Sequence, residues 1–554
     1  MSLTVSAAVI GRTSHPSFDR LRKIESTDSD RLFLIDADLS SDALADLARA
    51  AAEEGDGKTS RALTAIQAVR EGKFSTPIPN FRAALDMLTT YLRHAAIDGW
   101  IYVRWPDGHV YPELVTEVVF HENWARSNEE RDPQIVIRTT SVSRQQEHSR
   151  GPAGASMSVR VNRYTLRPGD VARKRPGDAL AGMGILKETP ELKRQYEEQM
   201  ARHRETTSPA AFQKQFRVSG RIHSKEESHY QGRGEDRQGR RVIHDLPAEE
   251  CPAGQSFVES SLLPHPDGEA SAPAPVPDHP LVRVFDLQTH EFYWIHGSNL
   301  TPYAYDKSLR EKLILPESHR DLLDVLTTET EAFSTDIIEG KSAGNVVLCK
   351  GIPGVGKTLT AEVYAELIDR PLYSIRSGEL GVSATEIERR LKAIFQRAKR
   401  WDCVLLLDEA DVFIAKRGAS IEQNAIVAEF LRALEYFDGL LFMTTNRPDD
   451  IDEAIISRCA AIIDYEAPGE DDARAIWSIM ARHHGILLGT SLLDGLVGMF
   501  PKIAPRDIKM LLRLTLRMAA SKAKGKGSDQ ASIAIPSLDE FRRCAMFRSI
   551  KIKV

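Results

Sequence analysis

The octapeptide Gly351-Ile352-Pro353-Gly354-Val355-Gly356-Lys357-Thr358 constrains this chain more than any other stretch. It fits G-x-x-x-x-G-K-[ST], a turn whose successive backbone N–H groups cradle phosphate oxygens because glycine lets the backbone approach closely. In such a loop the lysine reaches the outer phosphates and the Ser/Thr hydroxyl serves a divalent cation. The candidate phosphate-contacting residues are therefore Gly351, Pro353, Gly354, Val355, Gly356, Lys357, Thr358 and the adjoining Leu359. The flanks agree. Asn345-Val346-Val347-Leu348-Cys349 reads as a short buried strand, and Thr360 to Leu367 reads as a helix whose N-terminus favours an anion. A chance glycine-rich turn would lack that strand-before, helix-after context.

A chain of 554 residues exceeds what one core supports, so two to four domains are expected. Apolar content of 42% and charged content of 27% are those of an ordinary globular protein. The net charge of −6 gives no global basic signature for nucleic acid or anionic membrane. The five cysteines form no C-x-x-C pair, which fits a reducing compartment better than a disulfide framework or a zinc site. Neither a basic-then-apolar leader nor an apolar run near the roughly 18 residues needed to span a bilayer is evident. A cytoplasmic location without membrane contact is the expectation.

Along the chain, residues 1–95 read as mostly helical, with apolar spacing of 3 to 4 over Ser41–Ala50 and Phe81–Leu88. Residues 96–262 read as β-rich, with strands at Trp100–Trp105, Leu114–Phe120 and Ile135–Thr139 and a charged helix around Glu188–Arg204. The Arg/Lys-rich stretch 213–241 is interrupted by acids and reads as a solvated loop more readily than as a nucleic-acid site. Residues 263–280 are Pro/Ala-rich and read as a semi-rigid linker. Residues 281–310 read as a connector hairpin leading into the domain that carries the phosphate loop.

From residue 311 to 466 helix and strand alternate, as a parallel sheet with crossover helices requires. Strands are expected at 345–349, 371–376, 403–407, 440–444 and 461–465, and Ser383-Ala384-Thr385-Glu386 reads as a helix-starting capping box. The strand Cys403–Leu407 delivers Asp408-Glu409 to its C-terminal end, the edge where open α/β sheets bind ligands. Asp408 is a candidate magnesium holder together with Thr358, and Glu409 a candidate activator of the attacking water. The next strand ends in Thr445-Asn446-Arg447-Pro448. Asn446 can orient that water or simply form the turn. Arg458 can satisfy a local carboxylate, or leave the subunit for a neighbour's γ-phosphate.

Taken jointly, loop 351–358, Asp408-Glu409, Asn446 and Arg458 resemble Walker A, Walker B, sensor 1 and arginine finger of the AAA family of ATPases, over roughly residues 311–545. The phrases Arg376-Ser377-Gly378-Glu379-Leu380-Gly381 and Glu435-Tyr436-Phe437-Asp438-Gly439 look closest to a poorly characterised bacterial and fungal group that carries a β-rich domain before the ATPase. The resemblance implies an α/β P-loop AAA core, a parallel sheet with flanking helices. It also implies an α-helical lid at 467–554, ATP and Mg²⁺ as ligands, and a homo-oligomeric ring, most often a hexamer. Ala504-Pro505-Arg506-Asp507 is similar to the sensor 2 region, so Arg506 either contacts phosphate or caps a helix start in solvent. Two departures stand out. The loop at 378–383 lacks the aromatic residue of polypeptide-threading members, and Cys459-Ala460-Ala461 stands where many remodelling members have a second arginine.

The expected function is ATP hydrolysis by a ring, coupled to remodelling of a protein partner that the N-terminal regions recognise. Two alternatives remain beside it. One is a nucleic-acid-handling motor, for which Ser457-Arg458-Cys459 looks like the finger of clamp-loader subunits and a basic tract at Arg513–Lys526 is available. The other is a nucleotide-gated switch or scaffold.

Overall fold

Val404-Leu405-Leu406-Leu407 is apolar at every position, and the structure buries both faces of it, as a parallel sheet between helices demands. The structure is a computed structural model that describes residues 2–23, 32–36, 39–121, 133–143, 158–208, 210–225, 238–245, 256–263, 272–327, 345–381, 383–418, 420–525, 535–548 and 550–552. It divides into two compact units. One comprises residues 1–212 and 216–301, the other residues 213–215 and 302–554.

In the second unit five parallel strands run Leu372–Arg376, Val404–Asp408, Leu440–Thr445, Asn345–Gly351, Ala461–Tyr465 across the sheet. The first strand in sequence is therefore an interior one, fourth in this order, with the phosphate loop at its C-terminal end. Register pairs Arg376 with Asp408, Lys350 with Thr445 and Gly351 with Tyr465, so the C-terminal ends of all five strands lie along one edge. On one face Val347, Cys349, Val404, Leu406, Phe442 and Ile463 pack against Ala361, Tyr364 and Ala365 of the helix Lys357–Leu367. On the other, Ile375, Leu405, Leu407 and Leu441 meet Leu391, Ile394 and Phe430, leaving a void of only about 10 Å³. Ser383 caps the helix Ala384–Arg400 by accepting from the Glu386 N–H, but the Glu386 carboxylate pairs with Arg390 (2.7 Å) rather than completing the expected capping box. Four helices follow the sheet: Glu470–His483, Thr490–Met499, Pro505–Gly525 and Leu538–Met546. They close over their own core of Trp477, Leu496, Phe500, Leu511, Leu512 and Phe541.

In the first unit the helices Ser41–Glu53 and Phe81–Arg93 are capped by Ser40 and Asn80, whose side chains accept from the N–H groups of Ala43 and Ala83. In addition to the helices expected over residues 1–95, Ser2–Ser6 and Leu32–Asp36 pair antiparallel. The strands Trp100–Arg104, Val110–His121 and Gln134–Ser143 form an antiparallel sheet with Ser158–Leu166 and Ile185–Lys187. Much of the basic stretch 213–241 lies outside the described residues, but Gln215–Val218 within it is a strand rather than loop.

Two readings of the middle of the chain are corrected. Residues 272–275 of the expected linker form a strand paired with Phe257–Ser260, and Ala274 is fully buried beside Trp100 and Tyr102. The indole N–H of Trp100 donates to the Pro275 carbonyl (2.9 Å). Alanine and proline are used here for small volume against an aromatic surface, at a strand whose prolines need not donate. Residues 264–271 of that linker lie outside the described residues. The expected connector hairpin does form, Leu281–Asp286 against Phe292–His296, but as interior strands of a sheet in the first unit rather than as a lead-in to the second. The second unit begins at Pro302, where Glu366 of the phosphate helix accepts from the Tyr303 hydroxyl (2.7 Å) and the Asp306 N–H (3.0 Å).

Candidate functional site

The loop after the strand Asn345–Gly351 needs glycine for reasons the backbone makes explicit. Gly351, Gly354 and Gly356 all have positive φ (142°, 84° and 110°). A Cβ on Gly351 would lie 2.2 Å from the Tyr465 carbonyl oxygen, and one on Gly354 would lie 2.8 Å from the Arg506 Cβ. Pro353 and Leu359 are exposed beside the loop, and Val355 is partly buried against the core. The helix that begins at Lys357 has Gly356 as its N-cap, with no side chain accepting from its first N–H groups.

Lys357 is 6% exposed. Its ammonium donates to the carbonyls of Gly351 (2.8 Å) and Ile352 (2.7 Å) and to Asn446 Oδ1 (2.9 Å). All three acceptors are neutral, and burial pulls the lysine pKa below its ordinary value. The fit to an anion follows: a buried cation whose hydrogen-bond acceptors are all neutral sits beside a cradle of glycines and an open helix N-terminus.

The adjacent strand end supplies oxygens. The hydroxyls of Thr358 (2.8 Å) and Thr444 (2.7 Å) both donate to Asp408 Oδ1. A hydroxyl beside a carboxylate is the donor set of a hard divalent cation. Glu409 follows in a left-handed conformation, φ 55°, which is rare for a non-glycine residue. Its N–H donates to Thr444 Oγ1 (2.9 Å) and its carbonyl accepts from the Ser377 hydroxyl (2.5 Å). The Glu409 side chain is exposed at the sheet edge. Thr444 thus bridges Asp408 to Glu409, and sequence reasoning missed it. The signal available was a Thr pair, Thr444-Thr445, ending an otherwise apolar strand. Asp411 was missed too: its carboxylate accepts from the Thr445 hydroxyl and from the Asn446 N–H (3.3 Å), which fixes the turn that carries Asn446.

The candidate residues on the loop, Asp408, Glu409 and Asn446 therefore converge on one strand edge. Arg506, at the start of the helix Pro505–Gly525, is exposed and joins them, its N–H donating to the Gly354 carbonyl (3.1 Å). Arg458 stands apart. It follows the short helix Glu453–Ile456, and its guanidinium donates to the Ala454 carbonyl (3.0 Å) and to the carboxylate of Glu435 in the same chain. The loop that departs from threading members by lacking an aromatic begins as a short 3₁₀ turn, Ser377–Leu380, in which Leu380 is fully buried. Among the described residues no group of three or more His, Cys, Asp or Glu side chains is arranged to hold a metal, and no helix is long and apolar enough to cross a membrane.

Residues 347–467 match the family described as "ATPase family associated with various cellular activities (AAA)". An ATP-dependent zinc metalloprotease FtsH of Protochlamydia amoebophila is 30% identical over 34% of this chain and 19% of its own length. An uncharacterized AAA domain-containing protein of Schizosaccharomyces pombe is 33% identical over 24% of this chain and 19% of its own. The ribosome biogenesis ATPase RIX7 of Saccharomyces cerevisiae is 31% identical over 28% of this chain and 20% of its own. The chain thus spans about a fifth of the length of these curated relatives.

Proposed function

We propose that residues 347–467, which match the AAA family, are an ATPase domain and that this chain hydrolyses ATP with Mg²⁺, as a ring of identical subunits that remodels a protein partner. The observation that carries the nucleotide reading is Lys357, a buried ammonium met only by neutral acceptors at the mouth of a glycine cradle. A triphosphate supplies the missing negative charge. In this reading the loop amides of 351–358 and Lys357 bind the phosphates, and Arg506, beside Gly354, adds a second cation. Thr358 and Asp408 hold the cation, which offsets charge on the transferring phosphoryl group. Glu409 takes the proton of the attacking water, Asn446 orients that water, and Arg458 serves the neighbouring subunit.

The outputs named for the relatives, proteolysis and ribosome biogenesis, belong to those proteins. The family match covers residues 347–467, so the helical and β-rich regions of residues 1–262 are the proposed partner-recognition region. One observation favours a second reading, a slow nucleotide-gated switch: among its described residues, the loop 377–381 turns its one large apolar side chain, Leu380, inward.

The test uses Lys357→Ala and Glu409→Gln. The first is expected to lose ATP binding in a direct nucleotide-binding measurement; the second is expected to retain it and lose turnover. Glu409→Gln, tagged and held in ATP, should then retain specific proteins from a native lysate that Lys357→Ala does not, before and after nuclease. Retention that nuclease abolishes would move the reading to nucleic acid. Undiminished turnover in Glu409→Gln would sink the water-activation role.

A further inference from the structure

The guanidinium of Arg458 is engaged within its own subunit at its two terminal nitrogens only. One terminal nitrogen donates to the Ala454 carbonyl (3.0 Å) and the other to the Glu435 carboxylate, while Nε is buried with no acceptor. A buried donor left unmade costs more than a made bond returns, so this pose is held chiefly by the carboxylate. Glu435 is the residue that ends the helix Ile421–Leu434, just before the strand Leu440–Thr445, and both side chains are about one-third exposed. Solvent and an incoming group can therefore reach the pair.

We infer that Glu435 is a cis holder of Arg458: it keeps the arginine on its own subunit until a neighbouring copy presents a nucleotide phosphate, which displaces the carboxylate. The inference rests on the reading of Arg458 as a residue that acts in trans. The chemistry favours the exchange. A phosphate offers several anionic oxygens in place of one carboxylate oxygen, and a forked guanidinium binds it through more than one N–H. The exchange also gives the stranded Nε an acceptor. Glu435 would then be a positioning residue with a negative role. It lowers the fraction of subunits whose arginine is free to complete a neighbour's site, so half-maximal turnover needs a higher protein concentration.

The test compares the full-length wild type, Glu435→Gln, Arg458→Ala and the double variant. Glutamine keeps the shape of glutamate and removes its charge. Without nucleotide and at low protein concentration, a urea-unfolding cycle should show the two positions coupled by about two- to fivefold in the unfolding equilibrium, the size of a partly exposed ion pair. With Mg·ATP at high concentration, in a Glu409→Gln background that does not turn over, the coupling should vanish. In steady state, Glu435→Gln should reach half-maximal specific ATPase activity at a several-fold lower protein concentration, with a plateau at or above that of the wild type. Coupling that persists in the ATP state, or a lowered plateau in Glu435→Gln, overturns the inference, because Glu435 would then support the active geometry. An unmoved midpoint overturns it as well. Arg458→Ala separates the two claims. Full activity there sinks the trans reading itself, whereas an inactive Arg458→Ala with an unaltered Glu435→Gln sinks the holder alone.

Discussion

Replacing Thr444 by valine removes one hydroxyl and almost no volume, yet that hydroxyl serves two partners at the site. It donates to Asp408 (2.7 Å) and accepts from the N–H of Glu409 (2.9 Å), and Thr444 is only 2% exposed. Valine leaves the Glu409 N–H without its acceptor, a loss of about 1–3 kcal/mol. It also deletes a hydrogen bond to a charged acceptor, worth about 1.5–3 kcal/mol, discounted here because Asp408 is half-buried and keeps the Thr358 hydroxyl. A net destabilisation of about 2–3 kcal/mol of the second unit is expected, or about 5–10 °C in its thermal midpoint. Activity should fall further than stability alone dictates. Glu409 sits at φ 55°, a conformation costing on the order of 1 kcal/mol, and the Thr444 and Ser377 hydroxyls hold its peptide there. With one clamp gone the peptide relaxes and the carboxylate swings away from the water it is proposed to activate. Steady-state ATPase should show kcat down by about 10- to 100-fold with the KM for ATP changed less than about threefold, the pattern of an interaction made only in the transition state. Thr444→Ser, which keeps the hydroxyl, should recover most of both. A valine variant with wild-type kcat and midpoint refutes the clamp. A serine variant as impaired as valine refutes it too, since the methyl group would then be what matters.

Three further expectations test other parts of the structure. Gly351→Ala should prevent the second unit from folding, because the new Cβ would lie 2.2 Å from the Tyr465 carbonyl across the sheet edge; soluble protein with normal ATP binding would contradict the backbone reading. Buried His296, stacked 3.8 Å from His109, has its pKa pushed down to about 3 by burial first and then by that neighbour. The unfolded chain takes up this proton below about pH 6.5 and the folded one does not until about 3, so stability is full above 6.5 and falls by about 1.4 kcal/mol per pH unit between those limits. Urea unfolding followed by hydrogen exchange in residues 281–296 should show that slope in the wild type and a shallower one in His296→Phe. Arg506→Ala should raise the KM for ATP several-fold with kcat nearly kept, if the arginine beside Gly354 contributes ground-state binding; an unchanged KM places it in solvent.

The phosphate loop, its flanking strand and helix, and all five strands of the second unit were legible because their signals are local. A glycine pattern is set by positive φ at Gly351, Gly354 and Gly356, and a doubly buried strand shows as an unbroken apolar run at Val404–Leu407. What was not legible depends on partners far along the chain. Thr444 matters through Asp408 and Glu409, about 36 positions away, and nothing in a glutamate announces the left-handed backbone that Thr444 stabilises. The Ala/Pro run at 272–275 has the composition of a spacer. Its burial follows from Trp100, some 175 residues earlier, which needs a flat, small-residue surface and a carbonyl for its indole N–H. Composition measures what a segment can bury alone, and this one is buried by something else.

The same distinction bears on the order in which the site fills. Lys357 and Arg458 of the proposed site are already engaged by the chain, so ligand binding at these two is an exchange of partners and not a simple gain. Lys357 is held by two carbonyls and an amide oxygen, all neutral, whereas Arg458 is held by a carboxylate. Releasing a cation from dipoles costs less than releasing it from an opposite charge in a comparable environment. On the proposed trans role of Arg458, a triphosphate would therefore take Lys357 first, within one subunit, and a phosphate fixed in a neighbouring subunit would then take Arg458 from Glu435. In that scheme nucleotide loading would precede completion of the intersubunit site, and hydrolysis would wait for both.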